Sequence, residues 1–132
     1  MHDSASVDGM KLVLPAEPAS VPELRHSISR FAKEHGLGPE LVADVALAVS
    51  EAVTNAVKYA DAADAEAVVE LSAAREDDWL EVTVRDRGEG FGRESVDGLG
   101  LGLSIIARLA GDLRIVQEGE GTEVRMRFPL PA

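Results

Sequence analysis

Three groups of residues in this sequence are of types and spacings that do chemistry. In the stretch Glu51-Ala52-Val53-Thr54-Asn55-Ala56-Val57-Lys58-Tyr59, Glu51, Asn55 and Lys58 stand four and three residues apart. On a helix that spacing puts them on one face. A carboxylate there can take a proton, and an amide oxygen can ligate Mg²⁺. Three polar residues on a helix usually mark a solvated face. Here Asn is a poor mid-helix residue, and Ala48, Ala52, Val53 and Ala56 crowd the patch, leaving it partly buried.

The second group lies at strand ends. In Trp79 to Asp86, Leu80, Val82 and Val84 share a face, and the two-residue period of a strand places Asp86 with them. An inward carboxylate is costly unless hydrogen-bonded. Because Arg87-Gly88-Glu89-Gly90 follows, a backbone able to approach a ligand closely, ligand binding outweighs a strand that has simply ended. In Thr122 to Phe128 the same parity places Thr122 with Val124, Met126 and Phe128. A threonine turned to solvent at the strand's start explains that position equally well.

The third group is glycine. Six of the chain's 12 glycines fall between positions 88 and 102: Gly88, Gly90, Gly92, Gly98, Gly100 and Gly102. The last three precede a helical pattern of Leu103, Ile106 and Ala110. Glycine before a helix start exposes backbone N–H groups to an anion and lets phosphate come close. Neither standard phosphate-loop pattern is present. No Lys-Ser/Thr pair follows the last glycine, and Leu103 stands where a dinucleotide fingerprint needs its third glycine. Gly98 and Gly102 fit the membrane-helix pairing pattern, but Asp97 and Arg108 exclude it.

The elements that must position these groups are legible in outline. Lys11 to Leu14 reads as a strand stopped by Pro15. Ser20-Val21-Pro22-Glu23 reads as a capping box, opening a helix on Val21, Leu24, Ile28 and Phe31 that Gly36 stops. A second helix opens at Gly38-Pro39-Glu40 and runs to about Ala60, with Leu41, Val45, Val49, Ala52, Val53 and Ala56 as its apolar stripe. Residues 68–74 and 79–86 read as strands turned by Glu76-Asp77-Asp78. A helix follows over about 101–110, then strands near 112–117 and 122–128 joined by Gly119-Glu120-Gly121. This order implies an α+β two-layer sandwich, with helices on one face of a mixed, mostly antiparallel sheet.

Composition narrows the function. The 132 residues are 45% hydrophobic and 28% charged, a globular balance that suits one domain. Aromatics are only 4%, so Leu, Val, Ile and Ala must fill the core. With 24 acids against 13 bases the net charge is −11, which argues against direct nucleic-acid binding. Cysteine is absent, excluding disulfides, thiolate metal sites and cysteine nucleophiles. No segment is apolar for long enough to span a membrane, and Met1 to Gly9 lacks a signal-peptide pattern. These features set the expectation of a cytoplasmic protein, with residues 1–10 a flexible tail and 11–132 one domain.

Taken in order, the motifs resemble those of the Bergerat-type ATPase fold shared by gyrase, the ninety-kilodalton heat-shock chaperone, histidine kinases and bacterial anti-sigma serine kinases. Glu51 to Tyr59 is similar to the N box, and Asp86-Arg87-Gly88-Glu89-Gly90 to the D-x-G-x-G box. Gly98 to Leu103 is similar to G-x-G-L-x-L, and Gly121-Thr122 to the late G-T element.

The resemblance implies ATP as ligand and Mg²⁺ as cofactor. Glu51 would be the general base and Asn55 the Mg²⁺ ligand. Asp86 would bind the adenine amino group, with Thr122 supporting it through water. Gly88 and Gly90 would shape the base pocket, and Gly98, Gly100 and Gly102, with Leu101 and Leu103 in the same box, would cradle the phosphates. Lys58 and Tyr59 match an N-box ending whose residues approach phosphate and nucleotide.

A histidine kinase adds a helical hairpin for which 132 residues leave no room, and His26 reads as a surface residue. A lone domain with a strand and helix before the N box resembles the anti-sigma regulatory factor family. That implies a sigma factor and an anti-sigma antagonist as partners, a serine of the antagonist as phosphoryl acceptor, and room for a homodimer. The stretch Phe91 to Asp97 is shorter than the family's usual lid over the phosphates. A nucleotide-sensing binding module and the ATPase half of a split histidine kinase are the alternatives.

Overall fold

The structure is a computed structural model that describes residues 9–58, 66–86, 100–118 and 121–130, with backbone alone at 100–103 and 117–118. The elements run β1 (Gly9–Pro15), α1 (Ser20–Glu34), α2 (Pro39–Lys58), β2 (Val68–Glu76), β3 (Trp79–Asp86), α3 (Gly100–Leu109), β4 (Asp112–Glu118) and β5 (Gly121–Pro129). This is the expected order. The five strands form one sheet in the order β1-β2-β3-β5-β4. All four pairings are antiparallel, so the parallel component allowed by the sequence reading is absent among the described strands.

Local chemistry sets the element ends, with one departure. Ser20 does not cap α1: the N-cap is Ala19 in helical conformation, without a side-chain capping bond. The capping box is therefore a misreading. The turn at Glu17-Pro18 begins the helical bonding earlier, so backbone carbonyls serve the first donors and Ser20 already lies within the helix. Glu17 O accepts from Ser20 N at 3.0 Å and Pro18 O from Val21 N at 3.1 Å. The far end follows expectation. Gly36 takes φ of 83°, Gly36 N donates to Lys33 O and Leu37 N to Ala32 O, both at 3.1 Å, the paired bonds of a Schellman stop. The β2–β3 turn closes on Asp77 with φ of 45°.

The apolar stripes face one interior. Leu24, Ile28 and Phe31 of α1, Val45, Val49, Ala52, Val53 and Ala56 of α2, and Ile106 of α3 pack over the inward side chains of the sheet. Each Leu or Val fully buried there contributes about 1.5–3 kcal/mol relative to exposure, which suits a core with few aromatic rings. Helix α2 is the centre of the upper layer, touching α1, α3, β2 and β3. Gly111 pins the α3–β4 corner to the sheet: its N–H donates to Arg127 O at 2.8 Å, and an added Cβ would meet Pro129 and Trp79 at 3.1 Å.

Register orders the inward side chains into rows across the strands. One row is Leu71, Val84, Val124 and Ile115, and the next is Ala73, Val82, Met126 and Leu113. Both are apolar throughout. The row at the other side of Val84 runs Val69, Asp86 and Thr122, and there the residues turn polar; Gln117 holds the next register position on β4. Asp86 is 1% exposed and Thr122 3%.

The two rows should answer the same substitution differently. Val84→Asn puts an unmatched amide among apolar neighbours and is expected to cost about 2–4 kcal/mol. Asp86→Asn keeps the shape and a hydrogen-bonding group in a row that is already polar, so its cost is expected to be smaller than that of Val84→Asn. Denaturant unfolding of the two variants checks this; equal losses would show that the polar row is ordinary core.

Candidate functional site

Chain direction gathers the described members of the singled-out residues at one end of the molecule. Strand β3 ends at Asp86 and α3 begins at Gly100, so the two open onto the same intervening segment, 87–99. Strand β2 starts at Val68 beside that end, since Val69 pairs with Asp86. The C-terminal turn of α2, bearing Asn55 and Lys58, leads into β2. The end of β4 and the start of β5 lie there as well, because Thr122 pairs in register with Asp86 on one side and Gln117 on the other. The end of α2, the start of α3 and the polar row are thus neighbours, with α2 packed on both β3 and α3.

The side chains on α2 have the partial burial that their surroundings imply. Glu51 and Asn55 are half-buried and Lys58 is exposed, whereas Ala48, Ala52, Val53 and Ala56 beside them are buried. The Asn55 amide nitrogen is buried without a hydrogen-bond partner among the described residues. A polar group so placed costs roughly 1–3 kcal/mol unless something outside that set satisfies it. Ser50, which the spacing gave no reason to single out, has a buried hydroxyl in the same condition. On the sheet, Asp86 presents a carboxylate able only to accept when ionised, and Thr122 a hydroxyl able to donate and accept. No group of three or more His, Asp or Glu gathers as a metal cluster among the described residues.

Of the expected site residues, the structure brings Glu51, Asn55 and Lys58 onto one helix side and Asp86 and Thr122 into adjacent register, and it starts α3 at Gly100. For Gly100, Leu101, Gly102 and Leu103 it gives helix backbone. Tyr59, Gly88, Gly90 and Gly98 lie outside the described residues. Sequence reasoning overlooked Gln117, whose register position beside Thr122 follows only from the pairing of β4 with β5. His26 is exposed, as expected of a surface residue. No described helix is long and apolar enough to cross a membrane.

The histidine kinase-like ATPase domain family matches residues 14–128. The chain is 33% identical over 139 residues to serine-protein kinase RsbW of Bacillus velezensis, covering 93% of this chain and 86% of that protein. It is 33% identical over 142 residues to RsbW of Listeria monocytogenes, covering 96% and 87%. Among solved structures, the RsbU and RsbW domains of a Mycobacterium tuberculosis protein superpose with a TM-score of 0.76 at 25% identity. The match covers 94% of this chain and 33% of that one, so the chain spans about a third of that larger protein. The SiaB–SiaC complex of Pseudomonas aeruginosa gives 0.72 at 18% identity, covering 90% and 88%, a likeness of fold. The chain belongs to the histidine kinase-like ATPase family, within the group that holds the RsbW serine-protein kinases.

Proposed function

We propose that the protein is an ATP-dependent serine kinase acting as an anti-sigma regulatory factor. The observation that carries this reading is the polar row of Asp86 and Thr122, placed at the sheet end where α2 delivers Asn55 and α3 begins. Asp86 accepts a hydrogen bond from the adenine amino group, and Thr122 supports it through water. The start of α3 offers N–H groups and its dipole to the phosphates, with Gly100 and Gly102 letting them close in beside Leu101 and Leu103. Gly98 extends that cradle, Gly88 and Gly90 shape the base pocket, and Lys58 and Tyr59 approach the nucleotide from α2 and the residue after it.

Glu51 takes the proton of the incoming serine hydroxyl. The serine oxygen bonds to the γ-phosphorus as the bond to the bridging oxygen breaks, giving phosphoserine and ADP. The residues fit Mg²⁺: Asn55 is half-buried beside Glu51, its amide is a suitable oxygen donor, and Mg²⁺ is commonly held by few protein ligands plus phosphates. When bound, the ion neutralises charge on the phosphates. The acceptor serine belongs to an anti-sigma antagonist and the regulated partner is a sigma factor. Support for a serine acceptor comes from the serine-protein kinases to which the chain is similar, and the two partners are what the resemblance of the motifs implies. The protein works in the cytoplasm, without direct nucleic-acid contact, and association of two copies belongs to the same proposal. The short stretch Phe91 to Asp97 favours a second reading, in which nucleotide is sensed and nothing is transferred.

Calorimetry and a transfer assay test these assignments. Wild-type protein is expected to bind ATP more tightly with Mg²⁺ than without and to label an antagonist's serine from γ-labelled ATP. Glu51→Gln is expected to slow labelling by about 10²-fold or more while ATP affinity stays within about threefold; labelling at the wild-type rate would remove Glu51 as the base. ATP binding with no phosphoserine formed in wild type would select the sensing module.

Asn55→Ala separates the metal from the nucleotide. Its expected signature is loss of the Mg²⁺-dependent part of ATP affinity, about tenfold or about 1.4 kcal/mol, with metal-free affinity unchanged. An undiminished Mg²⁺ effect in that variant would assign the ion to other ligands.

A further inference from the structure

Helix α2 presents a second strip of residues that the core does not use. Along it, every three or four positions, stand Ala43, Leu47, Glu51, Thr54 and Lys58; Glu51 is half-buried and the others are exposed. Leu47 lies two positions from both Val45 and Val49, which are fully buried. On a helix of 3.6 residues per turn that is a rotation of about 200°, so Leu47 points away from the core. It is 46% exposed. Among the described residues, the other large apolar side chain so exposed is Val13, on the edge strand β1.

A single exposed leucine on a surface helix is ordinary. What distinguishes this one is its place beside Glu51. Residues four apart on a helix have neighbouring side chains, with Cβ atoms about 5–6 Å apart. Side chains also lean toward the helix N-terminus, which carries the Glu51 carboxylate toward the turn of Leu47. Helix propensity would be served at least as well by alanine, the residue one turn earlier at Ala43. A serine hydroxyl that reaches Glu51 brings with it a segment of chain that crosses this strip. Leu47 and Glu51 are about 6 Å apart along the axis, at 1.5 Å per residue. In an extended segment, side chains two residues apart share a face and lie about 6.5–7 Å apart. The two spacings match, so a segment laid along α2 with its serine at Glu51 sets the side chain two positions away on Leu47.

We propose that Leu47 determines which serines the kinase accepts, by packing against a large aliphatic side chain two residues from the acceptor serine in an extended segment of the protein substrate. That role rests on the reading of Glu51 as the base. Removing both apolar surfaces from water supplies the attraction. Leu47 takes no part in the transfer itself. Its contact is made equally in the ground and transition states, so it lowers KM for the acceptor and leaves kcat alone.

Single-serine peptides test this with the full chain and γ-labelled ATP: one has alanine two positions to either side of the serine, the other leucine at both. Wild type is expected to label the leucine peptide with kcat/KM about tenfold higher, carried by KM. Leu47→Ala should erase that preference and Leu47→Met should keep it. Both variants should hold the wild-type ATP affinity and thermal midpoint, because the side chain is exposed. Val13→Ala, at an equally exposed position on β1, should keep the preference in full. Glu51→Gln should slow both peptides alike; labelling by that variant at the wild-type rate overturns the base assignment and the role of Leu47 together. No labelling of either peptide or of an antagonist by wild type also overturns both. A wild type that labels an antagonist's serine, yet labels neither peptide or both equally, overturns the role of Leu47 alone, as does a Leu47→Ala variant that keeps the preference. A wild-type dimer that Leu47→Ala dissociates, read by light scattering, overturns it too, since the leucine would then face a second copy of the chain.

Discussion

The structure turns on a single constraint of strand geometry: side chains alternate between faces, and register carries that alternation across neighbouring strands without slip. Once Val84 is locked opposite Val124 in the core, Asp86 and Thr122 have no choice of face. A carboxylate is thereby forced inside, where it must be compensated. The helices above accommodate it by leaving a polar end to the core, and the half-buried amide of Asn55 comes from the helix packed nearest. An interior built to exclude water thus ends in a place suited to a polar molecule.

Much of this was legible in the sequence because its signals are local. The parity of Leu80, Val82, Val84 and Asp86, the stripe on α2, the stop at Gly36 and the order of elements each depend on a few neighbouring residues, and the structure follows them. The capping box failed for a local reason also: Ser20-x-x-Glu23 has the right types, but the turn at Glu17-Pro18 supplies carbonyls first and puts Ser20 inside the helix. What stayed hidden is what pairing decides. Nothing near Gln117 shows that it stands in the row of Asp86, and nothing near Arg114 shows that Arg125 stands opposite. Ser50 belongs with these, since its burial depends on how the helix layer packs.

The two faces of the sheet illustrate different uses of charge. Inward, one carboxylate at the end of apolar rows carries weight because its surroundings are poorly polarisable. Outward, arginines and carboxylates interleave along β3, β5 and β4 in solvent, where each pair contributes at most about 1 kcal/mol. The same strands therefore serve both layers through alternate residues, and a change at one position alters one face with little effect on the other.

Strand β5 has a consequence for how the molecule is made. It follows β4 in sequence, yet it lies between β3 and β4 and hydrogen-bonds to both. A nascent chain emerging from the ribosome can form the β1–β2–β3 part of the sheet early, whereas β4 must wait for its partner. Asp86 acquires its neighbour Thr122 only when that strand threads home. Synthesis must proceed through residue 129 before the two halves of the sheet become one, so a chain stalled short of that point is left with a split, unfinished sheet.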